Sequence, residues 1–274
     1  MTLSGVLISP EELREALADK RVRLLDVRWL LGDPDGPQHY LDGHIPGAVF
    51  VDMETELAAP ASPARGRHPL PEIGQLEKCA RSWGIKAGDS VVAYDANGGL
   101  AAARAWWLLR WGGLADVRIL DGGLPAWTAA GGELASGAEP DPEAGDVVLT
   151  PGHLPVIDAD TASRWPGVLL DARAGERYRG ETEPIDPRAG HIPGAVSAPT
   201  AENLDPSGRF RGVDELRDRF KDLGAGPVAV YCGSGVTAAH QIAALAMVGV
   251  EAALYPGSWS QWSNDPKRPV ATGA

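Results

Sequence analysis

Short apolar runs bounded by turn residues alternate along the chain with longer stretches in which apolar residues recur every three or four positions. The short runs, which predict strands, are VRLLDV, SVVAYDA, VRILDG, GVLLDA, PVAVYCG and EAALYPG. The longer stretches, which predict helices, include EELREALAD, AAARAWWLLRWG, VDELRDRFKDLG and TAAHQIAALAMVG. Because the strand runs lack polar alternation and are separated by helices, they predict mostly parallel sheets covered by helices on both faces. The predicted fold class is α/β.

Four short motifs occur twice in the chain, in the same order. The pairs are LLDVR at 24–28 with LLDAR at 169–173, HIPGAV at 44–49 and again at 191–196, VVAYD at 91–95 with VAVYC at 228–232, and LDGGLPAW at 120–127 with YPGSWSQW at 255–262. Because the order is kept and the spacing hardly changes, the pattern indicates a duplicated domain.

The duplication sets the predicted domain boundaries. Residues 1–135 form the N-terminal domain and residues 153–274 the C-terminal domain. Residues 136–152 are rich in glycine, proline and acidic side chains, which is typical of a linker, although VVLT within them could form a strand. A length of 274 residues also favours two cores over one.

Composition and charge narrow the class of function. The formal charge of −12 opposes binding to nucleic acid or to an anionic membrane, so an anionic substrate needs a local group of arginines. No stretch approaches the roughly 20 apolar residues that span a bilayer, and the first residues lack the pattern of a secretory signal. Cys79 and Cys232 are too few for a disulfide framework or a cysteine-built zinc site. We expect a cytoplasmic protein with free thiols and no metal.

Cys232 ends the predicted strand in PVAVYCG and precedes a loop of small residues, Gly233–Thr237, and a helix is predicted to begin near Thr237 or Ala238. In parallel sheets ligands bind beyond the carboxyl ends of the strands, where Cys232 and, in the first copy, Asp95 fall. The loop glycines let backbone N–H groups turn toward one point, and the helix N terminus adds further donors. Such an anion cradle favours the thiolate, the nucleophilic form of cysteine. The alternative is a buried structural cysteine.

The residue at position 238 distinguishes two kinds of reaction that use such a loop. A cysteine phosphatase of the Cys-x5-Arg type needs an arginine six residues after the cysteine, and this chain has Ala238 there. The loop between them contains no cation. The sequence therefore favours a smaller cargo, one sulfur atom carried as a persulfide on Cys232.

The loop CGSGVTA, together with the paired LLD-x-R and GHIPGA segments, resembles the two-domain rhodanese family of sulfurtransferases. The loop is most similar to the 3-mercaptopyruvate type, CG[ST]GVT, and differs from the CRKGVT loop of thiosulfate-preferring members. The resemblance covers nearly the whole chain. It implies two tandem rhodanese-like domains, a catalytic C-terminal domain with Cys232, and a catalytically silent N-terminal domain with Asp95 in place of the cysteine. It also implies that no metal or organic cofactor is needed.

The resemblance also implies which residues bind the donor. Arg177, in GERYRG, is expected to hold the anionic end of the donor, and the backbone of Gly233, Ser234, Gly235, Val236 and Thr237 to surround the transferred sulfur. For a second donor-binding arginine, Arg188 is the nearest match and Arg179 competes with it. A surface ion pair with Glu176, Glu181 or Glu183 is the alternative role of these arginines.

A proton relay is implied for the mercaptopyruvate type. Ser234 matches its loop serine, His68 matches its histidine, and Asp52 or Glu54 matches its acid, with Asp52 the preferred assignment. By contrast, His44 and His191 lie in both copies of GHIPGA, including the silent one, so we interpret both as structural. The same reasoning applies to the paired aspartates and arginines, Asp26 with Arg28 and Asp171 with Arg173.

Three functions are compatible with these features. The first is a sulfurtransferase that moves sulfur from 3-mercaptopyruvate to cyanide, a thiol or a thioredoxin-like acceptor through a Cys232 persulfide. The second is mainly a thiosulfate:cyanide sulfurtransferase, and the third a non-catalytic sulfur carrier or regulatory module. The complete loop argues against the third, and the absence of an Arg-Lys pair in it favours the first over the second.

Overall fold

The computed structural model describes residues 5–19 and 21–274, which divide into two units, each built on its own parallel sheet. The first unit contains the described residues up to Leu57 together with Pro71–Leu154 and Pro206–Phe210. The second unit contains Ala58–Leu70, Pro155–Asp205 and Arg211–Ala274.

The first unit alternates strands and helices along the chain. Its elements are β1 (Leu7–Ile8), α1 (Pro10–Ala16), β2 (Val22–Asp26), α2 (Gly36–Asp42), β3 (Val49–Phe50), α3 (Ile73–Ser82), β4 (Ser90–Tyr94), α4 (Ala102–Trp111), β5 (Val117–Leu120) and α5 (Gly123–Ala129). The strands pair in the order β1-β5-β4-β2-β3, and every pairing is parallel. Most residues of the central strands β2 and β4 are buried, which explains why apolar residues follow one another in them without polar alternation.

The second unit follows the same plan. Its elements are α6 (Ala159–Ala162), β6 (Val168–Asp171), α7 (Gly175–Arg179), β7 (Val196–Ser197), α8 (Val213–Phe220), β8 (Val228–Tyr231), α9 (Thr237–Met247), β9 (Ala252–Leu254) and α10 (Ser258–Trp262), with short 3₁₀ turns at Thr200–Asn203 and Lys221–Leu223. The strands pair in the order β7-β6-β8-β9, again all parallel. A parallel bridge from Val156 to Leu254 extends this sheet beyond β9. The order is then that of the first unit, which confirms the duplicated α/β fold.

The duplicated charged residues make the same contacts in both units. In the first, the Arg28 guanidinium donates to both carboxylate oxygens of Asp26 and to the carbonyl oxygen of Gly43. In the second, Arg173 donates to Asp171 and to the carbonyl oxygen of Gly190. Because the same clamp occurs with and without a cysteine at the strand end, it serves the fold.

The duplicated histidines are structural in the same way. The Nδ1 atom of His44 lies 2.8 Å from the carbonyl oxygen of Tyr40, and its ring stacks on the Tyr40 ring at 4.0 Å. His191 repeats both contacts with Tyr178, at 2.8 Å and 3.8 Å. These matching contacts agree with a structural role for both histidines.

Two connecting segments differ from the simple division of the sequence into two repeats. Residues 136–152 form no helix or strand, yet they pack on the first unit, with Val147 and Leu149 buried and the Thr150 N–H bonded to the Gly112 carbonyl oxygen at 3.0 Å. The stretch Ala58–Leu70 precedes the second half of the first sheet in sequence, but it packs on the second unit. Across the described ranges, none of the helices combines the length and the apolar character needed to cross a bilayer.

Candidate active site

Cys232 lies at the junction of a central strand and a helix N terminus, as the sequence predicts. Strand β8 ends at Tyr231 and helix α9 begins at Thr237. The Cys232 thiol is buried, and its Sγ accepts a hydrogen bond from the Gly235 N–H at 3.1 Å. Gly235 has φ +84, and a Cβ there would lie 2.6 Å from the Pro256 carbonyl oxygen. The loop therefore requires glycine at 235.

The segment before α10 fixes the cysteine loop from the other side. The Cys232 N–H donates to Oγ of Ser258 at 3.1 Å, and the Trp259 N–H donates to the Cys232 carbonyl oxygen at 2.9 Å. The Ser260 N–H donates to the Gly233 carbonyl oxygen at 2.8 Å. Ser258 has φ +53. Within the described residues, 5–19 and 21–274, it is the only residue other than glycine with a positive φ. Backbone strain is thus located where Cys232 is held.

Ser234 and His68 are in direct contact. His68 Nδ1 and Ser234 Oγ share a hydrogen bond of 2.7 Å, and both residues are buried. The contact exists because residues 58–70 pack on the second unit, where the Arg67 N–H donates to Oγ of Ser260 at 3.1 Å and the Gln261 amide donates to the Ala64 carbonyl oxygen at 2.7 Å.

Two arginines face the residue that follows the cysteine. A Cβ placed on Gly233 would lie 3.0 Å from Nη2 of Arg67 and 3.5 Å from Nη1 of Arg177. Neither nitrogen has a hydrogen-bond acceptor within the described part of the chain. Nε of Arg67 is also buried without a partner there. This paired arrangement is typical of a site for a small anion.

The other guanidinium nitrogens of these arginines contact carboxylates. Nη1 of Arg67 donates to Oδ1 of Asp186. Nη2 of Arg177 donates to Oε1 of Glu183 at 2.6 Å and to Oδ2 of Asp186 at 3.3 Å. Burial raises the pKa of Asp186 although the Arg67 and Arg177 guanidinium groups oppose that shift. The carboxylates orient the two arginines and leave Nη2 of Arg67 and Nη1 of Arg177 directed at Gly233.

Arg188 has a structural role, which contradicts its prediction as a second donor-binding arginine. Its guanidinium donates from all three nitrogens to the carbonyl oxygens of Trp262, Ser263, Asp265 and Arg268, at 2.6–2.8 Å. These bonds tie the loop before β7 to the C-terminal segment. Arg179, the competing candidate, forms an exposed ion pair with Glu181.

Arg67 is the arginine that the sequence analysis missed. Its sequence signal is adjacency: it immediately precedes His68 in RGRHPLP. No helix or strand pattern in the sequence points to Arg67, because residues 58–70 form neither. They belong to the second unit, from which they are far apart in sequence. Once His68 is placed beside Ser234, the residue that precedes it, Arg67, becomes a candidate for the same site.

The two acidic candidates for the relay lie in the first unit. Oδ1 of Asp52 accepts from the N–H groups of Glu54 and Thr55 at 2.8 and 3.0 Å, and the Asp52 N–H donates to Glu56. Asp52 therefore closes its own turn. Oε1 of Glu54 accepts from Nε1 of Trp29 at 2.8 Å. Neither contact supports a relay role, and the assignment of Asp52 stays a prediction.

In the first unit, Asp95 lies at the position that corresponds to Cys232, and its carboxylate lies inside the loop that follows. Its carboxylate accepts from four backbone N–H groups at 2.8–3.0 Å, those of Asn97, Gly99, Ala101 and Ala102. The residue is fully buried. This loop therefore holds an anion that is part of the chain, and a carboxylate cannot act as the thiol nucleophile.

Cys79 differs from Cys232 in its surroundings. It lies in α3, and burial together with the nearby Glu56 carboxylate raises the pKa of its thiol. Its Sγ accepts a long hydrogen bond of 3.5 Å from the Gln75 amide. Both cysteines are free thiols. In the described ranges, no three histidine, cysteine or acidic side chains are arranged to hold a metal ion.

Comparison with known proteins places the chain in a family. A family model described as the rhodanese-like domain matches residues 9–130 and 157–265. The chain is 48% identical to a Mycobacterium tuberculosis protein provisionally named thiosulfate sulfurtransferase SseB, covering 98% of this chain and 97% of that one. It is 47% identical to a Pseudomonas aeruginosa protein provisionally named 3-mercaptopyruvate sulfurtransferase, covering 98% and 99%.

A solved structure shows the same architecture. The crystal structure of SseA, the 3-mercaptopyruvate sulfurtransferase of Escherichia coli, superposes with a TM-score of 0.82 at 34% identity. The superposition covers 93% of this chain and 99% of that one. The match therefore extends over both units. The chain belongs to the rhodanese family, with two rhodanese-like domains in tandem.

Proposed function

We propose that the protein is a sulfurtransferase that carries sulfur from 3-mercaptopyruvate to a thiophilic acceptor as a persulfide on Cys232. The observation that carries the proposal is the pair of guanidinium nitrogens directed at Gly233, the residue that follows the buried Cys232 in the chain. A donor whose carboxylate is held by Arg67 and Arg177 brings its sulfur close to Sγ. Membership of the family and the names of the relatives support the reaction class.

In the first half-reaction, the Cys232 thiolate attacks the sulfur of 3-mercaptopyruvate. An S–S bond forms, the bond between that sulfur and C3 breaks, and its electron pair remains on C3 as the enolate of pyruvate. The Gly235 N–H already donates to Sγ, which becomes the inner sulfur of the persulfide, and we assign the outer sulfur to the other N–H groups of the loop. Binding of the carboxylate by two arginines provides the orientation for the attack.

The enolate must be protonated before pyruvate leaves. Ser234 lies two residues after the nucleophile, and its hydroxyl is hydrogen-bonded to His68. We assign the proton transfer to C3 to the Ser234 hydroxyl, with His68 replacing the proton. Thiosulfate produces sulfite, which carries no carbanion, so this pair is needed for mercaptopyruvate only.

In the second half-reaction, an acceptor nucleophile attacks the outer sulfur and restores the Cys232 thiolate. Cyanide, a small thiol or a thioredoxin-like dithiol fits this step, because each supplies a nucleophile for sulfur. The order of events gives ping-pong kinetics. Free thiols persist in a reducing compartment, and we therefore propose the cytoplasm as the location.

Thiosulfate is the second candidate donor. It is favoured by the 48% identical relative, whose provisional name is thiosulfate sulfurtransferase. It is disfavoured by the loop, because Gly233 and Ser234 add no positive charge beside the two arginines. With thiosulfate as the donor, the hydrogen-bonded Ser234 and His68 would have no proton to transfer.

The test is kcat/KM for 3-mercaptopyruvate and for thiosulfate, measured with the same acceptor and buffer. The proposal predicts the larger value for 3-mercaptopyruvate. A larger value for thiosulfate would contradict the choice of donor, and activity with neither donor would contradict the proposed function.

A further inference from the structure

Asp186 occupies the arginine pair of the candidate active site. Its two carboxylate oxygens reach different arginines, Oδ1 accepting from Arg67 and Oδ2 from Arg177. Its side chain is 2% exposed. In the described part of the chain these are the only hydrogen bonds that the carboxylate accepts. Asp186 is therefore a buried anion whose partners are the two groups directed at Gly233.

The neighbouring carboxylate, Glu183, has a different set of partners. It pairs with Arg177 at 2.6 Å and with Arg173 at 3.2 Å, and its Oε1 accepts the N–H groups of Ile185 and Asp186. These contacts shape the loop itself. Asp186 lacks such backbone donors, so the burial of its charge depends on the arginines alone.

The charges around Gly233 balance when Asp186 is ionised. Three guanidinium groups, those of Arg67, Arg173 and Arg177, are paired with three carboxylates, those of Asp171, Glu183 and Asp186. Without Asp186 the group would carry one positive charge beside the cysteine loop. A carboxylate at this position therefore reduces the attraction for every anion, and reduces it more for a dianion than for a monoanion.

We propose that Asp186 is a specificity-determining residue that makes the Arg67–Arg177 site prefer a monoanionic donor over a dianionic one. The inference rests on the proposed function, since it takes the two arginines as the donor site. A monoanionic α-keto thiol needs one charge-assisted contact to the arginines and tolerates Asp186 beside them. Dianionic thiosulfate meets the Asp186 charge with two charges of its own.

The first experiment compares donors in wild-type protein and in Asp186→Asn, which keeps the side-chain shape and removes the charge. We expect kcat/KM for thiosulfate to rise about tenfold more than kcat/KM for 3-mercaptopyruvate, as expected for one extra unit charge interacting at short range in a partly screened site. Asp186→Ser, a smaller neutral residue, should move the ratio in the same direction. Glu181→Gln is the matched control, because it changes the net charge equally in an exposed ion pair with Arg179 and should leave the ratio unchanged.

The second experiment does not depend on turnover. Sulfate and acetate, a dianion and a monoanion, are tested for protection of Cys232 against alkylation by iodoacetamide. Asp186→Asn should strengthen protection by sulfate about tenfold more than protection by acetate. An equal change for both anions, in folded Asp186→Asn and Asp186→Ser, would overturn the role of Asp186. A selective gain for sulfate in a protein that turns over neither donor would support that role and overturn the proposed function.

Discussion

Nδ1 of His68 lies 2.7 Å from Oγ of Ser234, which lies two residues after Cys232, the residue that follows strand β8. The two side chains come from positions 166 residues apart, and both are buried. A hydroxyl in this position can donate a proton and have it replaced by the imidazole. In the proposed mechanism this pair serves a donor that releases a carbanion and has no role with a donor that does not.

Ser234→Ala should reduce kcat/KM for 3-mercaptopyruvate by about 10²-fold or more, since general acid catalysis typically contributes 10²–10⁴-fold. His68→Gln should have an effect of the same order, because it removes the group that replaces the proton. Thiosulfate turnover should change little in either variant. Steady-state kinetics with both donors measure the difference, and equal losses with the two donors would show that the pair supports the loop without transferring a proton.

Arg67→Gln and Arg177→Gln should each raise KM for the donor more than they lower the rate of Cys232 alkylation by iodoacetamide. Loss of one charge-assisted contact to a carboxylate costs roughly 1.5–3 kcal/mol, or about one to two decades in kcat/KM. Arg179→Gln, which removes only an exposed ion pair, is the control. Unchanged donor kinetics in Arg67→Gln would remove Arg67 from the donor site.

Ser258 allows the strain and the hydrogen bond at the cysteine loop to be measured separately. Ser258→Ala keeps the positive φ and leaves the buried N–H of Cys232 without its acceptor, which costs about 1–3 kcal/mol of stability. Ser258→Gly also loses the hydroxyl but relieves the left-handed backbone, so it should be about 1 kcal/mol more stable than Ser258→Ala. Urea denaturation compares the two free energies of unfolding. Equal stability, or a more stable alanine variant, would mean that the backbone at 258 is not strained.

The local features of the site could be predicted from the sequence because they follow from short patterns. An apolar run, a glycine loop and a periodic segment place Cys232 at the junction of a strand and a helix. The observed boundaries, Tyr231 for β8 and Thr237 for α9, lie within one residue of the predicted ones. The duplicated motifs indicated that His44 and His191 are structural, and their matching contacts with Tyr40 and Tyr178 explain why.

The features that the sequence did not reveal depend on long-range contacts. Arg188 resembles a donor-binding residue by its position, but its carbonyl partners lie 74 to 80 residues further along the chain. Arg67 joins the site only because residues 58–70 pack on the second unit. The edge strands β1, β3 and β7 contain two residues each, too few to produce a periodic pattern.

Mass spectrometry of the protein treated with 3-mercaptopyruvate, in the absence of an acceptor, tests whether Cys232 carries the transferred sulfur. We expect one added sulfur atom on the peptide that contains Cys232, its loss when cyanide is added, and no addition in Cys232→Ser. Cys79→Ser should be labelled as the wild type is, because burial and Glu56 raise the pKa of the Cys79 thiol and keep it protonated. Sulfur found on Cys79, or pyruvate released at the wild-type rate by Cys232→Ser, would contradict the account.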